Sequence, residues 1–216
     1  MDKFILYNTH NSLPEEMEVY FQQKLLEACG DIPVIAVSKH PRTTFAYKNI
    51  IVDYPKNNWN SILYQTEVGI NAILSENDKA IVYIAEHDVL YPPSYFENVP
   101  PDDNTFMKNI NLYFVNNVGF LGPHNDYIHS QTIASVKLFD FCLKEKENER
   151  IRFKDKSKYN LIKFNNIHPS LDIRHGYNYT GGRENDKKVH LKELPYWGSY
   201  EELRKSLPPF KQKSPN

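Results

Sequence analysis

Residues 79–96, KAIVYIAEHDVLYPPSYF, constrain the fold of this chain more than any other stretch. Ala80 to Ala85 form a short, nearly continuous apolar run with β-branched and aromatic members. Such a run, lacking polar alternation, reads as a strand buried on both faces. It stops abruptly at Glu86, His87 and Asp88. Two acidic side chains at the carboxyl end of a buried strand lie where open α/β sheets place their ligands. Oxygen donors of this kind suit a hard divalent cation holding a diphosphate. The plain alternative is a core strand whose acidic end runs out into solvent.

The preceding residues supply the frame for that strand. A first strand spans 4–7, followed by the polar turn Asn8-Thr9-His10-Asn11-Ser12. Pro14 opens a helix whose stripe is Met17, Phe21, Leu25 and Leu26, and Gly30 stops it. Residues 33–37 form a second apolar strand, so strand, helix and strand imply a parallel pair covered by the helix. A third strand over 49–52 ends at Asp53, and a second helix runs from 59 to 74. The order is β-α-β-β-α-β, half of a nucleotide-binding α/β fold. Neither GxGxxG nor GxxxxGK[ST] occurs, so phosphate must be held by metal and side chains rather than by a glycine-rich loop.

Beyond residue 100 the pattern loosens. Residues 105–120 alternate as one or two strands, GPHNDYIHSQT is a polar connection, and a helix is expected over 133–146. Residues 159–164 read as a late strand and 165–183 as loop. A short amphipathic helix closes KELPYWGSYEELRKSL. The charge is uneven along the chain. Residues 1–135 hold 8 Lys and Arg against 16 Asp and Glu, whereas 136–216 hold 18 against 11. A basic final third would draw a diphosphate or polyanion, or be no more than a solvated surface of mixed sign. No window approaches the roughly 20 apolar residues of a membrane span. Cys29 and Cys142 are far apart and fit no metal-ligand spacing, which suggests thiols in a reducing compartment; the expected location is the cytoplasm, or a host's cytoplasm if the chain is phage-encoded.

With IVYIAEHDVLYP at the end of this half-fold, the chain resembles the GT-A class of nucleotide-sugar glycosyltransferases, in particular compact bacterial or phage members. The resemblance implies a mixed, mostly parallel Rossmann-like sheet flanked by helices, in a single domain over 1–216. Residues 1–100 would be the nucleotide-sugar-binding half. Residues 101–216 would carry the acceptor side, a metal and diphosphate loop at 168–183 and the C-terminal helix. Glu86-His87-Asp88 stands where the family has Asp-x-Asp, with Glu for the first Asp. Asp88 and Glu86 would then hold Mn2+ or Mg2+, and His175, in Asp172-Ile173-Arg174-His175-Gly176, would complete the metal shell. Arg174 and Arg183 would pair with phosphate oxygens and stabilise the departing diphosphate.

A donor at the carboxyl edge would meet Asn8, Thr9 and His10 at the first strand tip. Asp53 would accept from uracil or ribose, or be an ordinary turn residue. Gln65 would line the donor site or pack at the core edge. An inverting transfer needs a general base, for which Asp126 is the first candidate, His124 the second and Asp172 the third. The expected activity is transfer of sugar from a nucleotide donor, a UDP-sugar foremost, to a hydroxyl acceptor. A hydroxymethylated DNA base is one such acceptor, with Tyr196, Trp197 and Tyr200 either stacking on bases or filling core. Two other classes fit the same residues: a metal-dependent phosphohydrolase using Asp88, His87 and His175, and a non-catalytic nucleotide-sugar or nucleic-acid binding module.

Overall fold

The computed structural model describes residues 2–41, 45–53, 59–116, 119–123, 129–144, 158–174 and 190–208. Its first half is β1 (Lys3–Thr9), α1 (Glu15–Cys29), β2 (Val34–Ser38), β3 (Lys48–Ile51), α2 (Trp59–Glu76) and β4 (Ile81–Glu86). The chain continues through β5 (Val89–Leu90), β6 (Thr105–Asn109), β7 (Leu112–Val115), β8 (Phe120–Leu121), β9 (Thr132–Ser135) and α3 (Val136–Lys144). It ends in β10 (Asn160–Phe164), β11 (Ser170–Ile173), β12 (His190–Leu191), β13 (Glu193–Leu194), β14 (Gly198–Ser199) and α4 (Tyr200–Ser206).

The main sheet has the order β10-β6-β9-β4-β1-β2-β3. β1 to β4 are mutually parallel where they pair, and β10 is parallel to β6; β9 alone runs antiparallel, between β4 and β6. This is the mixed, mostly parallel sheet flanked by helices that the half-fold implies. On one face α2 and α3 bury Ile70, Ile73, Leu138 and Phe139 against Leu6, Val82 and Ile84. On the other, Leu25 of α1 and Tyr95 and Phe96 cover Ile5, Tyr83 and Ala85. β4 is thus walled on both sides, which is why its sequence carries no polar alternation.

Two expectations need correction. Residues 132–135 extend as β9 rather than opening the helix, because the backbone fills the gap between β4 and β6 and all four side chains are buried there. Helix α3 therefore starts at Val136. Residues 170–173, expected as loop, form β11 in a second sheet of order β12-β8-β7-β11-β5. That sheet packs Leu90, Phe120, Leu171 and Ile173 against Met17 and Phe21 of α1 and Leu203 of α4.

Helix α2 lies unusually low over β1. A methyl group at Gly69 would sit 2.2 Å from Leu6 Cδ1 and 3.1 Å from Val37 Cγ2. Both neighbours are fully buried, so they have little room to yield. Gly69→Val is expected to lose about 1–3 kcal/mol of stability through overpacking, read from the denaturant midpoint at unchanged slope.

Candidate active site

The carboxyl edge of the sheet is assembled from strand ends that the topology brings side by side. In the parallel β1–β4 pair Asn8 stands opposite Glu86, and on the other side of β1 Thr9 stands opposite Ser38. The polar tip of the first strand therefore adjoins the acidic triplet. Asn8 Nδ2 donates to Thr66 Oγ1 at 2.9 Å, and Gln65 Nε2 donates to the Thr9 carbonyl at 2.8 Å. Both partners come from α2, whose close approach over β1 lets them reach. Asn8, Thr9 and Gln65 thus lie together at this edge. Gln65 is buried, and its Oε1 and Asn8 Oδ1 are buried acceptors without a hydrogen-bond partner among the described residues.

Thr66 links this tip to a residue the sequence reading passed over. Its hydroxyl donates to the Ile62 carbonyl at 2.8 Å and lies 2.9 Å from His129 Nε2. With the hydroxyl proton committed to Ile62, the imidazole must donate, so the Nε2–H tautomer is assigned. Burial pushes His129 down to about 4, and the ring is neutral. An unfolded histidine titrates near 6.5. The unfolded chain therefore takes up a proton that the folded chain refuses as the pH falls from about 6.5 to about 4. Stability is lost through that window, by about 3 kcal/mol from this group. His129→Gln is expected to flatten the pH dependence of the melting temperature there.

Asn11 fixes the exit of β1. Its backbone is left-handed, φ 53°, a conformation asparagine tolerates better than most residues. Nδ2 donates to Glu18 Oε1 at 2.7 Å, and Oδ1 accepts from the backbone N–H groups of Lys39 and His40 at 3.0 and 2.8 Å. One side chain thereby ties the ends of β1 and β2 to the first turns of α1. His10, next to it and half-buried, meets the ring of His87 edge-on at a centroid distance of 4.8 Å.

The acidic centre draws on both sheets. β5 runs antiparallel to β11 with Val89 opposite Asp172, and the Ile173 N–H donates to the Asp88 carbonyl at 2.9 Å. Asp172 thus joins Glu86 and Asp88. Its side chain is buried, with Oδ2 3.3 Å from Arg174 Nη2 and Oδ1 without a hydrogen-bond partner among the described residues. The Arg174 guanidinium lies flat over Phe114, its carbon 3.7 Å from the ring centroid. Burial, with the neighbouring charges of Asp88 and Asp172, pushes Glu86 up to about 8. Burial likewise pushes Asp172 up to about 7, against the pull of Arg174 and with the push of Asp88. Among the described residues, the burial of Glu86 and Asp172 and their mutual proximity to Asp88 favour the protonated form of these carboxyl groups, with Arg174 pulling the other way on Asp172. The Glu86 N–H is itself held by the Tyr91 hydroxyl at 3.1 Å, which donates onward to the Ser130 carbonyl.

Several candidates fall elsewhere. Asp53 is exposed just past β3. His175, Arg183, Asp126 and His124 lie outside the described residues. Trp197 Nε1 donates to the Pro169 carbonyl and the Tyr200 hydroxyl to the Asn116 carbonyl, at 2.6 and 2.8 Å. Tyr200 is buried and Trp197 half-buried, whereas Tyr196 is 52% exposed. Among the described residues no three Asp, Glu, His or Cys side chains form a ready-made metal cage, and no helix is long and apolar enough to cross a membrane. The signal that could have raised Asp172 to the centre was its spacing from Arg174, since residues two apart on a strand share a face.

No family model and no curated protein matches the chain. Among solved structures it is similar to S. aureus TarS, with a TM-score of 0.53 at 12% identity over 81% of this chain and 37% of that one. It is similar also to S. aureus TarS 1-349 in complex with UDP, with a TM-score of 0.54 at 12% identity over 81% of this chain and 61% of that one. A 4-diphosphocytidyl-2C-methyl-D-erythritol synthase gives a TM-score of 0.49 at 8% identity, over 77% of this chain and 91% of that one. The chain therefore spans less than two thirds of the length of either TarS chain. TarS is a GT-A glycosyltransferase. With the strand order described above, the likeness shows that this chain has a GT-A-like fold.

Proposed function

We propose that the chain is a metal-dependent glycosyltransferase that moves a sugar from a nucleotide-sugar donor, a UDP-sugar foremost, to a hydroxyl acceptor. The observation that carries this reading is the meeting of Glu86, Asp88 and Asp172 at the carboxyl edge, beside the polar tip of β1. A divalent cation suits that place, because Asp172 Oδ1 has no hydrogen-bond partner among the described residues and buried Glu86 stands near the carboxylates of Asp88 and Asp172. Asp88 and Glu86 would hold Mn2+ or Mg2+, with His175 as the third protein ligand. When bound, the cation would neutralise the donor diphosphate and polarise its bond to the sugar.

The chain's own groups would do the rest. Asn8, Thr9 and His10 would lie toward the nucleoside, and the Asn8 side-chain Oδ1 has no hydrogen-bond partner among the described residues. Arg174, already held flat on Phe114, and Arg183 neutralise the diphosphate as it leaves. In an inverting displacement the acceptor oxygen bonds to the anomeric carbon as the bond from that carbon to the diphosphate oxygen breaks. The acceptor proton passes to Asp126.

The TarS complex with UDP supports a uridine nucleotide as the first donor to try. The test is incubation with UDP-glucose and UDP-N-acetylglucosamine, each with Mn2+ and with EDTA, reading UDP release. Hydroxymethylated duplex DNA and simple glycosides serve as acceptors in separate arms. The expected result is Mn2+-dependent UDP release that rises with one acceptor. Phosphate release from p-nitrophenyl phosphate without UDP release would replace the reading with a phosphohydrolase, and nucleotide binding without turnover would replace it with a binding module.

A further inference from the structure

A concavity of about 370 Å3 opens between α1 and the C-terminal hairpin and helix. Tyr20, Lys24 and Glu27 line it from α1, Tyr196 and Trp197 from the turn joining β13 to β14, and Glu202 from α4. Its size lies within the range of small-molecule sites. We propose that this cleft is a subsite for an uncharged saccharide, the acceptor glycan; its assignment to the acceptor rests on the transferase reading above, whereas saccharide binding does not.

The turn that presents the aromatics is built at a cost. Tyr196 holds a left-handed backbone, φ 75°, which a bulky residue rarely adopts and which marks a position under constraint. Its ring is stacked on His168, with centroids 4.7 Å apart and planes at 21°, yet 52% of the residue stays exposed. A backed ring with an open surface is a platform rather than a core residue. Trp197 meets it edge-on at 4.9 Å and is itself anchored through its N–H to Pro169.

The polar lining decides among ligands. Lys24 is already paired with Glu27 at 2.6 Å and sits 6.0 Å from the Tyr20 ring centroid. The cleft's own ammonium thus takes the place an incoming cation would want. An anion would meet Glu27 and Glu202, and a purely apolar ligand would strip water from both carboxylates without replacing it. A sugar ring satisfies both kinds of wall: its C–H face lies on the aromatics, and its hydroxyls donate to Glu202 and to Ser206 Oγ, whose own proton goes to the Leu203 carbonyl and whose contact with the Tyr20 hydroxyl is a loose 3.3 Å. One residue connects the cleft to the acidic centre. Tyr91 lines the cleft, while its hydroxyl accepts from the Glu86 N–H.

The test follows the Trp197 indole N–H by NMR during titration of the full chain with glucose, N-acetylglucosamine, lactose and maltose, and with choline as the cationic control. A saturable shift with at least one sugar is expected, weakened about tenfold, or 1.4 kcal/mol, in Tyr196→Asn. That variant removes the ring but suits the left-handed backbone, and circular dichroism checks its fold. Asp88→Ala is expected to keep the saccharide shift. If the shift is present and the wild type turns over no UDP-sugar, the cleft stands and the transferase reading alone falls. No saturable shift with any sugar, a shift unaltered in a folded Tyr196→Asn, or saturation by choline but not by sugars would overturn the proposal.

Discussion

Asp88→Ala is expected to abolish Mn2+-dependent UDP-sugar binding and to lower turnover at least about a hundredfold, while the fold survives. The two roles of Asp88 separate cleanly. Its backbone carbonyl accepts from Ile173 and so holds β11 in register with β5, a bond that alanine keeps. Its carboxylate contributes charge to a place already crowded by Glu86 and Asp172. Removing that charge relieves repulsion, so the metal-free melting temperature is expected to hold or rise as function disappears. Thermal shift with and without Mn2+ and UDP reads both effects in one experiment. Retained Mn2+-dependent stabilisation by UDP in the variant would show that the triplet does not bind the donor.

Glu86→Gln is expected to stabilise the metal-free protein at pH 8 and to eliminate activity. The folded state raises the pKa of Glu86 from about 4.5 to about 8, so between these values the folded chain binds a proton that the unfolded chain has released. Stability consequently falls as the pH rises through that window, the reverse of a carboxylate held by an ion pair. Because Glu86 is only half-buried, the gain from substitution is on the order of 2 kcal/mol rather than the full shift. Asp172 acts in the same direction, and His129 in the opposite one over its own lower window. Saturating Mn2+ should cancel the alkaline loss in the wild type and leave the midpoint of the variant unchanged. Urea melts at pH 6 and pH 8, with and without Mn2+, measure this; an unchanged midpoint in Glu86→Gln at pH 8 would mean that the carboxylates are not crowded in solution.

How much of this could be read from residues alone differed between the halves of the chain. Ala80 to Ala85 announced a two-sided burial because every position is apolar, and the register that sets Asn8 beside Glu86 follows from parallel pairing of neighbouring strands. Residues 132–135 were harder. Thr-Ile-Ala-Ser followed by Val-Lys-Leu-Phe carries a helical stripe across a boundary that is set only by the slot between β4 and β6. Asp172 was hidden for a similar reason. Its four-residue strand exists because β7 and β5 flank it, and only that long-range pairing carries the carboxylate to Asp88. Asn11, Thr66, His129 and Tyr91 left no local signal, since each acts through partners distant in sequence.

The missing side chain at Gly69 reaches further than packing. With no Cβ between them, helix and strand close to a distance at which Gln65 and Thr66, one turn earlier, can grip the first strand's final peptide and amide. The wall that the proposed nucleoside would face is then set by interlayer spacing rather than by a loop. Nucleotide preference in this molecule should accordingly respond to volume changes at Leu6, a residue with no access to any ligand.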